Sequence, residues 1–198
     1  MEECLRSGGV VVFPTDTVYG LGCDPDSERA VRRLYELKGR QADRPAAVMF
    51  FDRGRALGAL GELGAAEQRA IRALLPGPVT LLLPNPEHRF PLASGVTDGV
   101  HASLGLRVPL LGDSLAALHA VSRPILQSSA NRSGEVEAWR LADVSRTLLD
   151  GADLVLDGGE LGGVASTVLD LRDYRQSGKW RVVREGALEL EAVERALG

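Results

Sequence analysis

The chain has 198 residues and a mass of 21.1 kDa, enough for one large domain or two small ones with a sizeable core. Hydrophobic content of 44% and charged content of 25% are ordinary for a soluble globular protein, and no apolar run approaches the length of a membrane span. A net charge of −4 excludes a global basic field for nucleic acid, and two cysteines, Cys4 and Cys23, make neither a disulfide framework nor a metal pair.

Glu2, Glu3 and Arg6 precede a short apolar run, which is not the pattern of a signal peptide, so the cytoplasm is the expected compartment. Residues 10–13 are β-branched or aromatic and predict a buried strand that stops at Pro14. Thr15, Asp16, Thr17 and Tyr19 follow, then Gly20 and Gly22. Polar side chains at the end of a buried strand are where open α/β folds place ligands. The alternative is a turn whose hydroxyls satisfy local backbone. Asp24 or Asp26 suits a helix cap, with Pro25 in the first turn, and Val31, Leu34 and Leu37 or Lys38 recur at helical spacing. Gly39 is the expected helix stop, which puts Lys38 and Arg40 at the exit, where cations complement the helix dipole. The chain uses 21 Arg and two Lys, Lys38 and Lys179. A Lys beside Arg40 therefore points to work for a compact ammonium, such as binding a polyphosphate or carboxylate. As residues of a helix exit, both are expected to be replaceable without loss of folding.

Residues 46–51 predict a second buried strand and 65–75 a helix closed by Pro76-Gly77-Pro78. A third strand is expected over 79–83. Residues 85–99 form the longest irregular stretch, a candidate lid or substrate loop ending in a hairpin turn at Thr97-Asp98-Gly99. A strand over 101–108, a helix over 113–121 capped by Asp113, and a short strand over 124–127 lead to Ser128-Ser129-Ala130-Asn131. A helix over 141–149 and a strand over 154–156 come next. Gly158, Gly159, Gly162 and Gly163 make a flexible approach to Ser166-Thr167. Late strands over 168–171 and 180–183, joined by a polar turn, precede a closing helix over 189–197. No repeat or linker divides the chain, so residues 1–198 read as one domain. Alternating strands and helices predict an α/β fold whose sheet is mixed.

Several motifs are missing. The sequence has no GxxxxGK[ST], no GxGxxG after a strand, no HExxH and no GxSxG, and its three histidines, His88, His101 and His119, are scattered. No metal site is expected.

Four pieces stand in order: PTDTVYGLG from Pro14, Lys38-Gly39-Arg40, Ser129-Ala130-Asn131, and Ser166-Thr167 before Arg184. Together with PGPVTLLL from Pro76 and LRVP from Leu106, they resemble the YrdC/TsaC family of threonylcarbamoyl-adenylate synthases over residues 8–186. The resemblance implies an open twisted mixed α/β sheet, with helices packed on it, around one large basic cavity. It implies an ATP-dependent nucleotidyltransferase that joins L-threonine, bicarbonate or CO2 and ATP into threonylcarbamoyl-AMP and pyrophosphate. Partner transferases would then pass the group to adenosine 37 of tRNA, so this chain's own tRNA contact would be indirect or weak. Lys38 and Arg40 take the catalytic role in this scheme. Thr17, Arg107, Ser129 and Ser166 would bind threonine, and Lys38, Arg40, Asn131 and Arg184 would bind ATP with its accompanying Mg2+. Three positions depart from the family pattern. Gln41 and Glu185 stand where Pro is usual, and Met49 stands where many members have His. Residue alternation over 46–51 then points Met49 toward the cavity and predicts weaker threonine binding, the alternative being that Met49 is simply core. No extra C-terminal domain follows, so a short form is expected. The competing readings are a paralogue that binds nucleotide or RNA without this chemistry, and a plain RNA-binding module, which the net charge disfavours.

Overall fold

Short runs of Val, Leu and Ile supply the strands, and the glycines and prolines between them set where the chain turns. The computed structural model describes residues 1–39, 45–94 and 103–198. Within them lie the strands β1 (Val11–Phe13), β2 (Gly20–Cys23), β3 (Ala47–Met49), β4 (Val79–Pro84), β5 (Ser103–Arg107), β6 (Ile125–Ser129), β7 (Leu154–Val155), β8 (Thr167–Asp170) and β9 (Arg181–Arg184). They form one sheet in the order β7-β1-β2-β6-β3-β5-β4-β8-β9. The pairs β1–β7, β3–β5 and β4–β8 are parallel and the rest antiparallel, so the sheet is mixed as expected. The helices are α1 (Glu2–Arg6), α2 (Glu28–Lys38), α3 (Arg53–Ala59), α4 (Ala65–Leu74), α5 (Arg146–Gly151), α6 (Tyr174–Ser177) and α7 (Leu190–Leu197). The result is a single α/β domain. No helix among the described residues is long and apolar enough to cross a membrane.

Alternation along the strands gives the sheet two unlike faces. Val12, Leu21, Val48, Leu81, Leu106, Leu126 and Leu169 share the main core with Val31 and Leu34 of α2 and Ile71 and Leu74 of α4. The opposite face carries a smaller apolar cluster that includes Val11, Phe13, Met49, Phe51, Ile125 and Leu5. Between that cluster and the far strands the register sets Gly22, Gln127, Ala47 and Gly105 side by side. Three of these four residues have little or no side chain, so the middle of this face is left shallow.

The structure departs from the sequence reading where tertiary contacts outweigh local signals. The strand β2 was not expected in a glycine-rich segment. The ring of Phe13 lies over it, and a Cβ on Gly22 would come 2.9 Å from Phe13 Cε1, so this strand must be small on that face. The cap of α2 is Ser27, whose Oγ accepts from Ala30 N at 3.4 Å, and not Asp24 or Asp26. Asp24 is instead paired with Arg123 at 2.8 Å. Residues Asp113–Ala120 form a 3₁₀ helix with no side-chain cap from Asp113. The helix expected over 141–149 is split into a 3₁₀ turn (Leu141–Asp143) and α5, because Val144 turns into the core in an extended conformation. The polar turn between β8 and β9 contains α6, and β6 runs on through Ser128 and Ser129. Helices α1 and α3 were not anticipated. The Thr97-Asp98-Gly99 turn and His101 lie outside the described residues.

One charged device ties the last two strands together. Asp170 accepts from Arg172 Nε and Nη2 at 2.9 and 2.7 Å, from the Arg172 amide at 3.1 Å and from Arg181 Nη2 at 2.6 Å. The Arg172 hydrogen bonds hold the Asp170 carboxyl well below the usual carboxylate range. Its stabilisation is therefore present above pH ~4, the unfolded value, and is lost as pH falls toward the lower folded one. Asp170→Asn is expected to cost about 1.5–3 kcal/mol at pH 7. Urea melts at pH 7 and pH 3 check this, and the gap between variant and wild type should narrow at the lower pH.

Candidate active site

Strand β5 ends in Arg107, a residue that is 3% exposed and whose side chain lies on the shallow face. Its Nη2 donates to Asp16 Oδ1 at 2.7 Å and to Thr17 Oγ1 at 3.2 Å. The other Asp16 oxygen accepts from the Leu110 amide at 3.0 Å. Thr15 knots this loop, because its hydroxyl donates to Val18 O at 2.7 Å and accepts from Thr17 N at 3.1 Å. Burial lowers the Arg107 pKa against the opposing charge of Asp16. Burial likewise pushes the Asp16 carboxyl up, against the pull of Arg107 and the Leu110 amide. Arg107 Nε is buried with no hydrogen-bond partner among the described residues.

A second group of polar residues faces this one. Ser166 Oγ lies 2.9 Å from Thr80 Oγ1, and both residues are buried. Arg184, at the end of β9, donates from Nη2 to Ser166 O at 2.7 Å, and its Nη1 is 3.8 Å from Glu137 Oε1. Between the two groups is a cavity of about 280 Å³, whose walls include Arg107, Thr80, Gln127, Ser129, Ser166 and Arg184. The residue types offer two guanidinium groups and several neutral hydrogen-bonding groups. That set suits anionic ligands carrying hydroxyls or amides.

Lys38 is where the sequence reading and the structure part. It is the last residue of α2, followed by Gly39 with φ of 59°, so the helix stop is as expected. The side chain, however, is not an exposed cation at a helix exit. Lys38 is 3% exposed, and its Nζ donates to the backbone oxygens of Ser129 and Asn131, the latter at 2.7 Å. It thus holds the segment after β6 from below. Asn131 Nδ2 donates to Glu135 O at 2.6 Å and to Arg132 O at 3.1 Å, while its Oδ1 is buried with no partner among the described residues. Arg40 and Gln41 lie outside the described residues.

The structure therefore brings Arg107, Ser129, Ser166 and Arg184 to one cavity, with Thr17 on Arg107 and with Lys38 and Asn131 behind Ser129. Met49 is a correction. It shares a sheet face with the cavity-lining Ala47, but it is fully buried in the small apolar cluster and does not line the cavity. A His there would meet Phe13, Phe51 and Ile125 instead of a ligand. The sequence reading left Asp16 without a role and passed over Thr80, Gln127 and Glu137. The signal for Thr80 was available: it is the single hydroxyl in the run VTLLL, where it breaks an otherwise apolar strand.

Residues 3–186 match the Sua5/YciO/YrdC family, described as telomere recombination, and the chain belongs to that family. Relatives of the chain carry the name threonylcarbamoyl-AMP synthase. The chain is 33% identical, over 98% of its length, to the threonylcarbamoyl-AMP synthase of Pyrococcus abyssi, of which it covers 55%. It is 38% identical, over 85% of its length, to that of Chromohalobacter salexigens, of which it covers 89%. The structure of P. abyssi Sua5 complexed with L-threonine superposes with a TM-score of 0.84 at 32% identity, covering all of this chain and 56% of that one. Escherichia coli YciO gives 0.73 at 26% identity, covering 96% and 89% of the two chains. The chain thus spans about half the length of the P. abyssi relative.

Proposed function

We propose that this chain is a threonylcarbamoyl-AMP synthase, an ATP-dependent nucleotidyltransferase that makes threonylcarbamoyl-AMP and pyrophosphate from L-threonine, bicarbonate or CO2 and ATP. The observation that carries the reading is the buried Arg107, held by Asp16 and Thr17, across one cavity from Ser166 and Arg184. The names of the relatives and the threonine complex of P. abyssi Sua5 support the same reading.

In this scheme the carbamate of threonine attacks the α-phosphate of ATP and pyrophosphate leaves. Both partners are anionic, so positioning and charge neutralisation are the work of the site. Arg107 takes the amino-acid carboxylate, with Thr17 fixing the guanidinium and with Ser166 and Ser129 donating to threonine. Arg184 faces the phosphates, and Arg40 is assigned to them by the Lys38-Gly39-Arg40 motif alone. Lys38 and Asn131 act on the nucleotide side, Lys38 by ordering the chain that carries Ser129 and Asn131. Mg2+ enters with ATP. The cavity's one lining carboxylate among the described residues, Glu137, is turned to Arg184, so phosphate and water oxygens would supply the ion's ligands. Residues 1–198 act as one unit in the cytoplasm, and the product passes to transferases that modify adenosine 37 of tRNA.

Incubation with ATP, L-threonine and bicarbonate, read by pyrophosphate release, is the test. Release is expected to need both threonine and bicarbonate. Nucleotide binding without threonine-dependent release would defeat the synthase and favour a binding paralogue. A gel shift with tRNA at physiological salt, in the absence of such release, would favour an RNA-binding module.

A further inference from the structure

A buried ion pair is a poor way to gain stability, because the cost of desolvating two charges roughly cancels their attraction. Asp16 and Arg107 nevertheless keep one, with side chains only 5% and 4% exposed. The geometry around the pair is unequal. Asp16 uses both oxygens: Oδ1 takes Arg107 Nη2 at 2.7 Å, and Oδ2 takes the Leu110 amide at 3.0 Å. The carboxylate therefore fastens the guanidinium to the backbone that leaves β5. The same Nη2 also reaches Thr17 Oγ1 at 3.2 Å, so its two hydrogens are both engaged. Thr17 is itself fixed, since its hydroxyl lies 3.0 Å from that of Thr15. What remains on Arg107 is the other part of the fork, including the buried Nε that has no partner among the described residues.

We propose that Asp16 is a positioning residue for amino-acid recognition: together with Thr17 it saturates one nitrogen of Arg107, locks the guanidinium plane and leaves the remaining donors to meet a ligand carboxylate in a single orientation. This rests on the synthase reading and extends it by naming what sets the carboxylate's direction. A guanidinium free to rotate about its long side chain would hold the carboxylate in several poses, and the carbamate formed on the same amino acid would then miss the phosphate. The lever is geometric, so its effect should fall on threonine and not on ATP. Asparagine cannot replace the carboxylate fully, because its amide nitrogen would oppose one of the two donors that Asp16 accepts from.

The test uses the full chain and pyrophosphate release, with KM read separately for threonine and ATP. Asp16→Asn is expected to raise the threonine KM about tenfold or more and to leave the ATP KM within about twofold. Arg107→Lys should also raise the threonine KM, and adding Asp16→Asn to it should raise it no further, because Asp16 acts through the guanidinium. If Asp16→Asn does not fold, as judged by its melting curve, Asp16→Glu takes its place. That variant keeps the charge, moves the carboxylate by one methylene, and is held to the same outcomes. An unchanged threonine KM, an equal rise in both KM values, or effects that multiply in the double variant would overturn the proposal. Wild-type release without any need for threonine would overturn the synthase reading and this proposal with it. Threonine-dependent release together with an indifferent Asp16 would overturn the positioning role alone.

Discussion

Arg107→Ala is expected to abolish threonine-dependent pyrophosphate release and to destabilise the fold by about 3–5 kcal/mol, because it strands the buried carboxylate of Asp16. At roughly 2–4 °C per kcal/mol for a chain of this size, the melting temperature should fall by about 6–20 °C. The pH dependence identifies the cause. Burial already pushes the Asp16 carboxyl above its usual range, and removing the guanidinium takes away the charge that opposes the shift. A carboxyl with a raised folded pKa contributes stability that is fully present below its unfolded value of about 4 and is lost as pH rises through the folded one. The deficit of Arg107→Ala relative to wild type should therefore be largest at neutral pH and shrink below pH ~4. Adding Asp16→Asn removes the stranded charge and should return part of the lost stability at pH 7 without restoring release. A deficit that does not vary with pH, or a double variant less stable than Arg107→Ala, would place the loss in packing instead.

The fold was legible in the sequence wherever apolar residues alternate or recur strongly. The strands around Val12, Val48 and Leu81 and the helix α4 were read with bounds close to those observed, α2 was read with its stop but not its cap, and the strand at Leu126 was read two residues short. Their signal is local, because each buries a face against the same core. The strand β2 was missed because its reason is not local: a Cβ on Gly22 would meet Ile125 of β6 and the ring of Phe13, and one on Gly20 that same ring, neighbours that arrive only once the strands pair. The split before α5 has a similar origin, since Val144 is drawn into the core against the helical pattern around it.

The site divides in the same way. The resemblance to the YrdC/TsaC family placed Arg107, Ser129, Ser166 and Arg184 together, and the structure puts all four on one cavity. Direction was harder. Lys38 reads in sequence as a cation at the helix exit, and only the approach of β6 to the end of α2 shows that its ammonium turns inward. Alternation correctly gave Met49 the cavity side of the sheet. It could not say that Leu5, Phe13 and Phe51 cover that end of β3. Asp16 showed as one polar residue among four, and its partners are 91 and 94 residues away in the chain.

Lys38→Ala is expected to lower turnover by more than tenfold, at least about 1.4 kcal/mol of barrier, and to lower stability as well. The stability loss follows from the inward position of the side chain. Its removal leaves the backbone oxygens of Ser129 and Asn131 without the ammonium that now bonds both, and an unsatisfied buried group costs about 1–3 kcal/mol. The turnover loss follows from what that segment carries. Ser129 lines the cavity, and Asn131 is the residue assigned to the nucleotide, so slackening here should raise the ATP KM and lower kcat together. Water admitted beside the two oxygens would satisfy them in part, but it would not fix their spacing as one ammonium does. Lys38→Arg is a stringent companion, because a planar guanidinium is bulkier than the ammonium it replaces in a site 3% exposed. It should keep the charge and still lose turnover. Short alkylammonium ions added to Lys38→Ala should restore part of the rate if the vacated space admits them. Turnover at the wild-type level in Lys38→Ala, with melting unchanged, would return Lys38 to a neutral role at the end of its helix.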